Sequence, residues 1–82
     1  MKLKEIVGYF RATVNGTSYD VSYTRTEQPD EQRGLDGGKV LRLVVLDGQT
    51  EVMRYEKGKW IIPPPMTRAA KDVLDIAKDR LQ

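Results

Sequence analysis

The residues that could carry chemistry are few. The chain has 82 residues and contains no histidine and no cysteine. There is thus no imidazole base, no thiol nucleophile and no ordinary zinc or iron ligand set. Ser18 and Ser22 lie in a strand-like run beside no evident base. Asp30, Glu31 and Asp36 could be read as paired carboxylates or a loose calcium loop, but their spacing does not match an EF-hand. Gly34, Gly37 and Gly38 make no phosphate cradle, because no helix follows and no Gly-Lys-Ser/Thr closes the motif. These observations lead us to expect no catalytic residues, no bound metal and no cofactor.

Two sets of charged residues remain as binding candidates. The first is acidic. Residues 26–38 carry four carboxylates, Glu27, Asp30, Glu31 and Asp36, against one cation, Arg33. On a chain of net charge +2 this is the one acidic patch. Such a loop can steer a cationic partner, which speeds association more than it raises affinity. The second set is Arg11, Arg54, Lys57 and Lys59, with Tyr9 and Trp60 nearby in the pattern. Cations and aromatics on one sheet surface are the equipment of single-strand nucleic-acid binding. Here the cations alternate with carboxylates, the ordinary pattern of a soluble surface.

The elements that must position these residues are mostly strands. From Glu5 the pattern alternates, with Ile6, Gly8, Phe10, Ala12 and Val14 on one side and Val7, Tyr9, Arg11 and Thr13 on the other. Asn15-Gly16 is a strong hairpin signal, since both residues tolerate positive φ. It pairs Val14 with Thr17, Ala12 with Tyr19, Phe10 with Val21 and Arg11 with Asp20. Strands are expected over about 5–14 and 17–25, after a frayed or edge segment at 1–4. Residues 26–38 have no periodicity and read as a crossover loop. Strands follow at about 39–46, 49–56 and 59–62. For the middle hairpin, Asp47-Gly48 is taken as the two-residue turn, which pairs Arg42 with Met53 and Val40 with Tyr55. Turning at Lys57-Gly58 pairs Glu56 with Lys59, Tyr55 with Trp60 and Met53 with Ile62. Pro63-Pro64-Pro65 ends the ladder. A helix is expected over 67–81, with Thr67 as N-cap, Met66 stapled onto the first turn, and Ala70, Val73, Leu74, Ala77 and Leu81 on the apolar stripe. Arg68–Asp72 and Lys71–Asp75 are spaced as i,i+4 pairs.

The expected fold is a single α+β domain of residues 1–82. It has an antiparallel sheet of about five strands, two hairpins plus a short fifth strand, packed by one C-terminal helix. At this length one core is marginal, and dimerisation would add buried surface. No apolar run approaches the roughly 18 residues of a membrane span, and no apolar segment follows the basic start. A cytoplasmic location is the expectation.

Three stretches carry a resemblance: Val14-Asn15-Gly16, Gly34-Leu35-Asp36-Gly37-Gly38-Lys39, and Tyr55-Glu56-Lys57-Gly58-Lys59-Trp60 ahead of Pro63. The chain resembles a family of small uncharacterised proteins of bacteria and their phages. These have a VNG hairpin, a G-[IL]-D-G-G segment and a Tyr-x-x-Gly-Trp-like turn. Here Lys59 is inserted between Gly58 and Trp60. The resemblance implies a mobile-element setting and, by analogy, a non-enzymatic inhibitor of host machinery of the anti-CRISPR kind, acting on a host protein. Glu27, Asp30, Glu31, Arg33 and Asp36 would then be the partner-binding set. A nucleic-acid-binding sheet and an edge-paired structural oligomer are the rival readings.

Overall fold

The computed structural model describes residues 4–82; the expectation for the first three residues lies outside them. Five strands form one antiparallel sheet in sequence order, β1 (Glu5–Val14), β2 (Thr17–Thr26), β3 (Val40–Asp47), β4 (Thr50–Glu56) and β5 (Lys59–Ile62). One helix, α1 (Arg68–Leu81), follows the proline run. The expected fold class, a five-stranded antiparallel sheet with one C-terminal helix, is the one observed.

The first hairpin has the expected register, with Val14 opposite Thr17, Phe10 opposite Val21 and Arg11 opposite Asp20. Asn15 and Gly16 both have positive φ, 51° and 82°, as a type I′ turn requires. The second hairpin departs from expectation. Asp47 pairs with Thr50, so Gly48-Gln49 is the turn. Only Gly48 of these two has positive φ, the pattern of a type II′ turn. A bulge at Val52 then shifts the ladder again, placing Met53 opposite Val45, Tyr55 opposite Leu43 and Glu56 opposite Arg42. The expected Arg42–Met53 and Val40–Tyr55 pairs do not form. The cause is burial. In the observed register Met53 and Tyr55 join Leu43 and Val45 in the core, and Arg42 meets a carboxylate instead of a thioether. A second bulge, at Ile61, puts Ile62 opposite Arg54 and not Met53, while Tyr55–Trp60 and Glu56–Lys59 pair as expected.

The core lies between one sheet face and α1. Val21, Leu43, Val45 and Met53 are wholly buried there, beneath Val73 and Ala77 of the helix. Thr67 caps α1, its side-chain oxygen accepting from the Ala70 amide at 3.2 Å. Met66 does not staple; it is fully exposed. Neither Arg68–Asp72 nor Lys71–Asp75 forms an ion pair among the described residues, and Lys78 instead reaches Asp36. Arg80 stacks over the Phe10 ring, 4.4 Å from its centre.

Candidate binding surfaces

The acidic loop is not a slack crossover. Asp30 organises it. One carboxylate oxygen accepts from the Gln32 and Arg33 amides at 3.0 and 2.8 Å, and the other from Arg33 Nε at 2.8 Å. The Arg33 amide and then its guanidinium hold the Asp30 carboxyl below the usual carboxylate range. Backbone bonds close the loop on itself, Asp30 N–H to the Gly38 carbonyl and Gly34 N–H to the Asp30 carbonyl. Gly34 is needed for that closure, because a Cβ there would collide with the Gly38 and Asp30 carbonyls. A short 3₁₀ turn, Leu35–Gly37, then drops Leu35 into the core, where it is buried in the same cluster as Tyr55 and Leu81. Tyr55 donates its hydroxyl to the Arg33 carbonyl at 2.9 Å, and burial pushes that hydroxyl's pKa up.

This arrangement divides the five acidic-loop candidates. Asp30 and Arg33 are spent on holding the loop. Asp36, in the left-handed region at φ 52°, pairs with Lys78 across to the helix. Glu27 and Glu31 are exposed and make no ion pair among the described residues.

The other four candidates lie elsewhere. Arg11, Arg54 and Lys59 belong to the sheet face opposite α1, and Lys57 sits in the exposed β4–β5 turn at φ 43°. The two arginines are engaged on that face. Arg11 Nε contacts Asp20 at 3.1 Å, and Tyr9 donates to the same carboxylate oxygen at 3.0 Å. Arg11 first, then Tyr9, keeps the Asp20 carboxyl low. Arg54 sits between Glu51 at 2.8 Å and Glu56 at 2.7 Å. Glu56 also receives Arg42 at 3.9 Å, so although it lies opposite Lys59, its carboxylate is taken by the arginines. The face is a lattice of alternating charge and not a basic stripe.

The family described as domain of unknown function DUF7678 matches residues 8–82. The chain belongs to this family. No curated protein and no solved structure matches it. The DUF7678 match takes in the ladder from Gly8, the acidic loop, both later turns and the helix, so loop and sheet face both belong to the family's domain. Leu35, Tyr55, Lys78 and Gln82 hold the DUF7678 loop in place, yet reasoning from the sequence assigned none of them to it. Gln82 accepts from the Val40 amide at 3.1 Å and lies against Gly38. One signal was legible: Leu35 is the only aliphatic residue in a polar stretch.

Proposed function

We propose that this domain is a non-enzymatic protein-binding module that presents the loop from Glu27 to Asp36. The observation that carries the reading is the loop's division of labour. Asp30, Leu35 and Tyr55 fix its backbone, while Glu27 and Glu31 are exposed on it and make no ion pair among the described residues. A charged, exposed pair on a pre-organised loop loses little entropy on docking and steers a cationic partner. The narrower reading, a phage or mobile-element inhibitor acting on host machinery, rests on the resemblance in turn motifs and belongs to the same proposal.

Single-strand nucleic-acid binding gains little from the geometry. Its arginines already face Asp20, Glu51 and Glu56, and releasing them from those carboxylates would offset much of the phosphate attraction.

The test is capture of the tagged domain's partner from bacterial lysate, with and without nuclease, followed by binding kinetics. The Glu27→Ala/Glu31→Ala double variant should slow association and weaken binding, with an unchanged circular dichroism spectrum. Unaltered kinetics would remove the loop from the reading. Recovery of nuclease-sensitive material alone would move the function to the sheet face. Asp30→Ala is unsuitable as a site test, because it dismantles the loop.

A further inference from the structure

The two edges of the sheet are built differently. β5 is four residues long, carries a bulge at Ile61 and runs into Pro63-Pro64-Pro65. Those are standard ways to make an edge unpairable. β1 is ten residues long, without proline or bulge, and no described strand pairs with its outer side. It also carries two of the large apolar side chains exposed on the domain, Val7 at 78% and Tyr9 at 59%.

The register shows which backbone groups face outward. In a two-residue hairpin the pair flanking the turn exchanges both hydrogen bonds, and hydrogen-bonded pairs alternate from there. That pair is Val14–Thr17. Even-numbered residues of β1 therefore bond to β2, and Glu5, Val7, Tyr9, Arg11 and Thr13 aim N–H and C=O away from the sheet. A second copy joining antiparallel about a two-fold axis must set these outward residues against one another. An axis at Tyr9 pairs Tyr9 with itself, Val7 with Arg11 and Glu5 with Thr13. An axis at Phe10 pairs Tyr9 with Arg11 and Val7 with Thr13. An axis at Gly8 sets Val7 against Tyr9 and Glu5 against Arg11, each twice. Only this last register covers both exposed apolar side chains with each other and opposes charges of opposite sign. Arg11 is equipped for it, since its contact with Asp20 uses Nε. On the helix side the same register brings half-buried Ile6 against half-buried Phe10.

We propose that β1 is a homodimerisation edge. Two copies of the chain join β1 to β1 antiparallel about Gly8, making one ten-stranded sheet with both helices on the same face. This inference is independent of the role of the acidic loop.

Sedimentation equilibrium over a wide concentration range tests it. The mass should rise toward twice the 9.4 kDa of one chain; a monomer at every concentration would overturn the proposal. Tyr9→Pro removes an outward N–H while sparing the β1–β2 bonds. It should give a monomer with its strand signal intact, and a persisting dimer would count against the edge. The register is tested separately, because the chain has no native cysteine. Hydrogen-bonded partners sit about 5.5 Å apart at Cα, within disulfide reach. Val7→Cys chains mixed with Tyr9→Cys chains should cross-link to each other. Cross-linking of Tyr9→Cys chains with themselves instead would overturn the Gly8 axis.

Discussion

The two long hairpins begin from similar instructions and carry them out differently. Each has a turn pair ending in glycine, Asn15-Gly16 and Asp47-Gly48. The first turns where its dipeptide says, with both φ values positive. The second turns one residue later, on Gly48-Gln49, and adds a bulge at Val52. The flanking strands explain the contrast. β1 and β2 alternate apolar with polar, so a one-residue slip would expose Phe10 and Val21 and bury Arg11 and Asp20. Turn and strands agree there. Apart from Arg42, β3 is apolar on both faces from Val40 to Leu46, so its own pattern discriminates weakly between registers. Its partner decides. Met53 and Tyr55 gain a core under α1, and Arg42 and Arg54 gain carboxylates. Where alternation is absent, the buried partner outweighs the turn dipeptide.

Truncation of neighbouring residues in β4 breaks this account most directly. Met53→Ala empties a wholly buried site and should cost about 2–5 kcal/mol in urea unfolding. Val52→Ala, at the half-buried bulge, should cost well under half as much. Equal or reversed costs would return β4 to the register that puts Val52 in the core.

The turns themselves sharpen the contrast. Asn15→Ala places a Cβ residue without a helpful side chain at φ 51° and should cost about 1–2 kcal/mol. Asp47→Ala, outside the centre of its turn, should stay within about 0.5 kcal/mol. A matching loss at Asp47 would mean that Asp47-Gly48 is the turn after all.

Surface charge should separate the hairpins only slightly. Arg54 is held by two carboxylates, but Glu51 and Glu56 are partly exposed. Arg54→Ala should therefore change thermal stability by no more than about 1 kcal/mol. A larger loss would mean that the charge lattice holds the second hairpin's register.

The smallest expected effect is on pH. Asp20 in the first hairpin titrates below its ordinary value because of Arg11 and Tyr9. Its folded pKa lies under its unfolded one, so its contribution is complete above the unfolded value, about 3.9. It is lost as pH falls through the folded value. Acid unfolding of Asp20→Asn should lack this component, and the two stability curves should converge at low pH. Parallel curves would show that Asp20 contributes nothing through its charge.

The same contrast marks how much could be read from the chain. The first hairpin, the capped helix and the fold class follow from period and turn chemistry, which act over a few residues. The β3–β4 register does not, because it depends on what α1 covers. The acidic loop was visible as composition but not as a structure. That Asp30 is scaffold while Glu27 and Glu31 are displayed depends on hydrogen bonds to Arg33 and on Leu35 reaching a core built by distant strands. The sheet-face arginines were legible as cations, yet the bracketing of Arg54 by Glu51 and Glu56 depends on the shifted register.

The sequence-ordered sheet also bears on how the chain reaches its fold. Every strand pairs with its neighbour in the chain, so each of the three hairpins closes a turn of two residues. Only the thirteen residues between β2 and β3 and the return of α1 demand longer closures. Loop-closure entropy grows slowly with length, and low sequence separation favours rapid folding. Refolding should accordingly show a main phase that is fast for a sheet protein in stopped-flow fluorescence of Trp60. Slowing should be greatest for changes in the first hairpin. Leu35→Ala should mainly speed unfolding, because its contacts wait for the loop and the helix to arrive together.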